Sequence, residues 1–163
     1  MSLTNAVALP QPRTWDVSPD PADVPTARRL IRKIAESWDV PLSDSALRDI
    51  ELCADELLAN TIEHSGIQCR ITVRWSGQCL RVEVADSSLR PPRPDRAGGT
   101  ATGGRGLALV EAFSRSWGWY PVRTGKVVWF EVAADELTPH GAPLVVLVRA
   151  ARTGPDLGLE RPA

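Results

Sequence analysis

Three short stretches of the chain hold residue types whose spacing suits phosphate and base chemistry. In "ELLANTIEH", Glu56 and Asn60 stand four apart, so a helix puts them on one face, and Glu63 and His64 continue it. The amide oxygen of Asn60 suits a hard cation. The Glu56 carboxylate one turn earlier suits proton abstraction, or holding a water beside that cation. In "VEVADSS", Asp86 stands where a strand leaves for a loop, and its carboxylate can accept a hydrogen bond from an exocyclic amine such as that of adenine. In "GGRGLALV", Gly104 and Gly106 flank Arg105, and Leu107 opens an apolar helical run. Free amides at a helix start, glycines that let a ligand come close and a guanidinium together make a phosphate cradle. Each stretch taken alone also has a plainer reading: a solvated helix face, a turn-forming aspartate, and a loop-to-helix turn without a ligand. Two other phosphate loops are excluded, since neither GxxxxGK[ST] nor a strand-led GxGxxG is present.

The elements that must position these residues follow from hydrophobic period and punctuation. "RTWDV" reads as a first edge strand. After "SPDPADVP", Ala27, Leu30, Ile31, Ile34 and Trp38 recur at helical steps. A second helix is expected from Asp44 to Glu63, capped by Ser43 or Asp44, with Leu47, Ile50, Ala54, Leu57, Leu58 and Thr61 inward and "HSG" as its stop. "CRITVRW" and "CLRVEVAD" alternate as strands of a hairpin. Residues 87–103 are a Pro/Gly/Arg-rich loop, "GRGLALVEAFSRSW" is a third helix, and "WGWYPV" with "KVVWFEVA" is a second hairpin. This order predicts an α+β two-layer sandwich: a mostly antiparallel mixed sheet with three helices on one face. Residues 1–12 are expected as a flexible tail, 13–133 as the domain, and 134–163 as an extension in which "PLVVLV" supplies an extra strand or covers a sheet edge.

The totals narrow the classes. At 163 residues, 43% hydrophobic and 24% charged, the chain suits one domain with a real core. A net charge of −1 gives no support for a nucleic-acid or membrane surface. The three scattered cysteines show no metal-ligand spacing and read as reduced thiols, hence a cytoplasmic location. The first twelve residues lack signal-peptide character, and no apolar run reaches membrane-spanning length.

The order of the motifs resembles the GHKL (histidine kinase-like ATPase, Bergerat) ATP-binding fold shared by gyrase, the heat-shock chaperone, histidine kinases and the mismatch-repair ATPase. It is most similar to the anti-sigma-factor serine/threonine kinases of the actinomycete single-domain type, over roughly residues 13–133. The motifs that carry the likeness are "ELLANTIEH", "VADSS", "GRGLALV", "WG" at 117–118 and "GKVVWFE" at 125–131. The resemblance implies that Asn60 binds Mg²⁺ bridging the ATP phosphates and that Glu56 is the general base or a water-orienting group. It implies that Asp86 holds the adenine amine, that Gly104, Arg105, Gly106 and Leu107 surround the phosphates, and that residues 87–103 form the ATP lid.

The expected function is therefore Mg·ATP-dependent phosphorylation of a small antagonist protein, with a sigma factor as the alternative partner. Arg105 and the glycine amides would stabilise the transferring phosphoryl group. The alternative is an ATP-binding regulatory adapter with weak or no kinase activity. It is motivated by Ser88, where many relatives have glycine, and by Val127, where a threonine often supports the adenine. The resemblance allows a homodimer through the sheet edge or first helix, and implies no nucleic-acid or membrane partner. His64 is expected to close its helix and not to accept phosphate, because no dimerisation helix pair precedes it, and His140 is expected in a loop.

Overall fold

The computed structural model describes residues 8–92 and 106–135. Five strands form one sheet in the order β1-β2-β3-β5-β4, where β1 is Arg13–Val17, β2 Cys69–Trp75, β3 Cys79–Asp86, β4 Ser116–Val122 and β5 Gly125–Ala133. Among the described residues all four pairings are antiparallel, as expected of a mostly antiparallel sheet. Three helices accompany it: α1 (Val24–Ser37), α2 (Asp44–Ser65) and α3 (Gly106–Phe113).

Strand alternation decides the layers. Register places Ile71 opposite Val84, Val73 opposite Val82, Val82 opposite Phe130 and Val84 opposite Val128. These side chains are buried under the helices. The other face is polar. There Arg70 pairs with Asp16, and Arg81 reaches Glu83 and Glu131 while its guanidinium lies 3.9 Å from the centroid of the Trp129 ring. One apolar face and one solvated face is the usual outcome for an antiparallel sheet covered on one side.

Helix α2 is the central support. Ser43 caps it through Ala46 N–H (3.1 Å), and Gly66 ends it in the left-handed region at φ 58°. Its expected inward residues Leu47, Ile50, Ala54, Leu57, Leu58 and Thr61 are all buried. The helix packs on α1, α3, β3 and β5. Ser43 also donates to the Asp135 carboxylate, tying the chain just beyond β5 back to the helix start.

Two sequence expectations need correction. Leu30 does not join the inward stripe of α1; it is 39% exposed, and Ala35 is buried with Ala27, Ile31 and Ile34. The third helix is shorter than the run from 104 to 117. Its last turn closes when Ser114 N–H donates to Val110 carbonyl (3.0 Å), and then Arg115 N–H donates to Glu131 carbonyl (2.8 Å), carrying the chain into the sheet. Strand pairing with β5 thus overrides the helical pattern of residues 114–117.

Expectations for residues 1–7, 93–105 and 136–163 lie outside the described residues. They include Gly104, Arg105, most of the lid, His140 and the "PLVVLV" strand. The side chain of His64 is outside the description as well.

Candidate functional site

The site is laid out along α2. At one end, the Glu56 carboxylate meets the start of α3: a Cβ built on Gly106 would fall 2.8 Å from Glu56 Oε2. Glycine permits this close approach, and no unusual backbone angle is involved. The carboxylate therefore sits against the first turn of α3. Burial, and then the neighbouring charge of Asp55, pushes the Glu56 carboxyl above the ordinary carboxylate range. Asp55 itself is held by Arg28.

One turn further along α2, Asn60 is half-buried. Its amide makes no hydrogen bond among the described residues, so its oxygen is available to a cation or ligand. The next residue, Thr61, is buried and turns toward the sheet. Its hydroxyl lies 3.5 Å from Asp86 Oδ2. The glutamate, the asparagine and the strand-end aspartate are thus gathered by one helix.

Asp86 is the most enclosed member of the set, with a side chain only 2% exposed. Its Oδ1 accepts from Ser88 N–H (2.8 Å) and from the ammonium of Lys126 (2.9 Å). Lys126 is its register partner on β5 and shares its face. Gly125, just before it, has φ 153°, and a Cβ there would fall 1.8 Å from the Asp86 carbonyl oxygen. Only glycine allows β5 to begin this close to the end of β3.

Both departures read from the resemblance look different in three dimensions. Ser88 contributes its backbone N–H to Asp86, which any residue could do, and its hydroxyl accepts from Arg90 N–H (3.3 Å). Val127 stands opposite Ala85, on the sheet face away from the Asp86 side chain. It therefore does not face this pocket, and the residue beside Asp86 is Lys126. Sequence reading missed Lys126 and the contact of Thr61. No local signal was available, because the last residue of "VEVAD" and the lysine of "GKVVWFE" pair across β3 and β5, which are not consecutive in the chain.

Leu107, expected near the phosphates, is 5% exposed and belongs to the core, so only its backbone could take part. A cavity of about 720 Å³ opens between the β1–α1 connection and α2, where Pro21 and Pro25 face Asp55, Glu56 and Glu63. It touches the site only at Glu56. Among the described residues no helix is long and apolar enough to cross a membrane, and no group of three or more His, Cys, Asp or Glu could hold a metal.

Comparison with known proteins gives the class. The sequence model of the histidine kinase-like ATPase domain matches residues 17–132, so the chain belongs to that family, whose members bind ATP, usually with Mg²⁺. Among solved structures the chain is similar to the RsbU and RsbW domains of Rv1364c from Mycobacterium tuberculosis. The TM-score is 0.56 at 16% identity, over 76% of this chain and 32% of that one. The chain thus spans about a third of that structure, and the likeness is one of fold. No curated protein matches the sequence.

The residues present fit a magnesium nucleotide. Among the described residues the Asn60 amide has no partner, the Glu56 carboxylate stands at the glycine start of α3, and Asp86 offers a carboxylate oxygen, Oδ2, whose one contact is long for a hydrogen bond.

Proposed function

We propose that this chain is an ATP-dependent serine/threonine protein kinase of the anti-sigma type, which phosphorylates a small antagonist protein and releases or captures a sigma factor in exchange. The carrying observation is the position of Glu56, a carboxylate shifted toward base strength against the glycine start of α3, one turn from Asn60, whose amide has no partner among the described residues.

In this reading Mg·ATP supplies the phosphoryl group to be transferred. Asn60 would hold the metal through its amide oxygen. Asp86 would accept the exocyclic amine of the base. Gly104, Arg105 and Gly106 would donate to the phosphates, Arg105 through its guanidinium. Glu56 would take the proton from the acceptor hydroxyl, its raised affinity for a proton suiting that task at neutral pH. The fold likeness to a structure containing an RsbW domain supports the choice of partner-switching chemistry.

The test is transfer of labelled γ-phosphate to candidate antagonist proteins by the parent and by Glu56→Gln. The variant should bind Mg·ATP as the parent does and transfer at least about a hundredfold more slowly. Equal transfer by the variant contradicts the role of Glu56. Clear ATP binding by the parent without transfer to any antagonist points to the adapter reading.

A further inference from the structure

The family reading gives Asp86 the base to recognise, yet Asp86 is not alone: Lys126 stands beside it with Nζ 2.9 Å from Oδ1. Both side chains are almost fully enclosed, Lys126 at 6% and Asp86 at 2% exposure. An ammonium carries three N–H donors, and this one has Asp86 as its sole acceptor among the described residues. The carboxylate is divided unevenly. Among the described residues Oδ1 accepts two hydrogen bonds, from Lys126 and Ser88, while Oδ2 has only the 3.5 Å approach of Thr61. Buried polar groups are normally satisfied. The pair therefore presents residual donors and a residual acceptor side by side, at one point of the sheet.

A neutral amine cannot displace the ammonium from Oδ1, because charge-assisted hydrogen bonds are the stronger. The incoming amine is directed instead to Oδ2. An acceptor next to that amine then meets the free N–H groups of Lys126. The ligand chemistry that matches is a ring nitrogen adjacent to an exocyclic amine, which is the N1/N6 edge of adenine.

We propose that Lys126 is a second base-reading residue, donating to the ring nitrogen N1 while Asp86 Oδ2 accepts from the N6 amine. This rests on the nucleotide reading of the site and goes beyond it by assigning base specificity to a lysine on β5. Position 127, where the threonine of relatives is expected, faces the other side of the sheet. Gly125 fixes the register that brings Lys126 to Asp86, since no side chain fits against the Asp86 carbonyl.

The experiment is calorimetric titration of the full chain with Mg·ATP and with the magnesium complex of 1-deaza-ATP, which keeps the amine and lacks N1. The parent should bind ATP at least about tenfold more tightly than the deaza analogue, the scale of one hydrogen bond to a charged group. Lys126→Met should bind ATP at the analogue's level and no longer tell the two apart, while Lys126→Arg should recover part of the preference. If the parent binds ATP and the analogue equally, the lysine does not read N1 and the proposal falls, with the ATP site intact. Tighter ATP binding by Lys126→Met also overturns it, by making the lysine a competitor of the base. If the parent binds neither nucleotide, the site reading and this inference fail together. The comparison on the parent decides the matter even where Lys126→Met does not fold.

Discussion

Glu56 Oε2 occupies the space where a side chain at Gly106 would begin, 2.8 Å from that position. The carboxylate of α2 and the first residue of α3 are therefore fitted to each other. The missing Cβ matters to the site more than to the fold.

Gly106→Ala should accordingly separate stability from chemistry. The added methyl meets the far end of a flexible side chain, so the carboxylate swings aside and stability changes by no more than about 1 kcal/mol. If Glu56 acts as proposed, displacing its carboxylate by about an ångström should slow phosphoryl transfer about a hundredfold at saturating ATP. Denaturant titration and single-turnover transfer would check the two halves. A variant with parental transfer would show that Glu56 needs no fixed position.

Glu56 also gives a pH dependence whose sign is fixed. Its carboxyl is raised in the folded chain, by burial first and Asp55 second, so the folded state holds that proton more tightly than the unfolded one. Its contribution to stability is present below the ordinary carboxylate pKa and is lost as pH rises through the raised value. Glu56→Gln should thus gain stability relative to the parent between pH 4 and pH 7. Urea melts of both proteins at the two pH values read this directly, and a gain that shrinks with rising pH would reverse the assignment.

Gly125→Ala should be severe. Its Cβ would lie 1.8 Å from the Asp86 carbonyl oxygen, at a backbone φ of 153° that disfavours any side chain. The expected loss is about 3 kcal/mol, seen as a lowered denaturation midpoint. A change under about 1 kcal/mol would mean that the β3–β5 register near Asp86 is loose.

The cysteines should be inert in the native chain. Burial raises the Cys53 thiol to about 12, with Asp49 and Glu56 adding to the effect, and Cys69 to about 11. Cys79 is buried as well. An aromatic disulfide reagent at pH 8 should find no fast-reacting thiol until denaturant is added, and then three. Rapid modification of Cys53 or Cys69 in the native chain would contradict the packing of α2 against the sheet.

The sequence made the helices and strands legible wherever one period ran without competition. Leu47 to Thr61 on α2 and the alternating β2 and β3 are examples, and both followed the expected pattern into the core. Where two patterns competed it did not: Ser114 to Trp117 continue a helical run yet leave it, because Glu131 on β5 offers Arg115 a carbonyl. The site was legible to the extent that it lies on one element. The four-residue spacing of Glu56 and Asn60 puts them on one helix face, but it is the order of the motifs along the chain that singles them out. Lys126 does not show itself, since its relation to Asp86 depends on the pairing of the non-consecutive strands β3 and β5 and on Gly125, which no local spacing records.

The central claim is that a magnesium nucleotide sits between the Asn60 amide and the start of α3, with its base at Asp86. Backbone amide spectra of the labelled chain, recorded with saturating Mg·ATP, test it most directly. The account predicts shifts concentrated at Asn60, Thr61, Ser88, Gly106 and Leu107, and largely absent for ATP in Asn60→Ala. A folded parent whose amides at these positions stay unmoved under saturating Mg·ATP would contradict it.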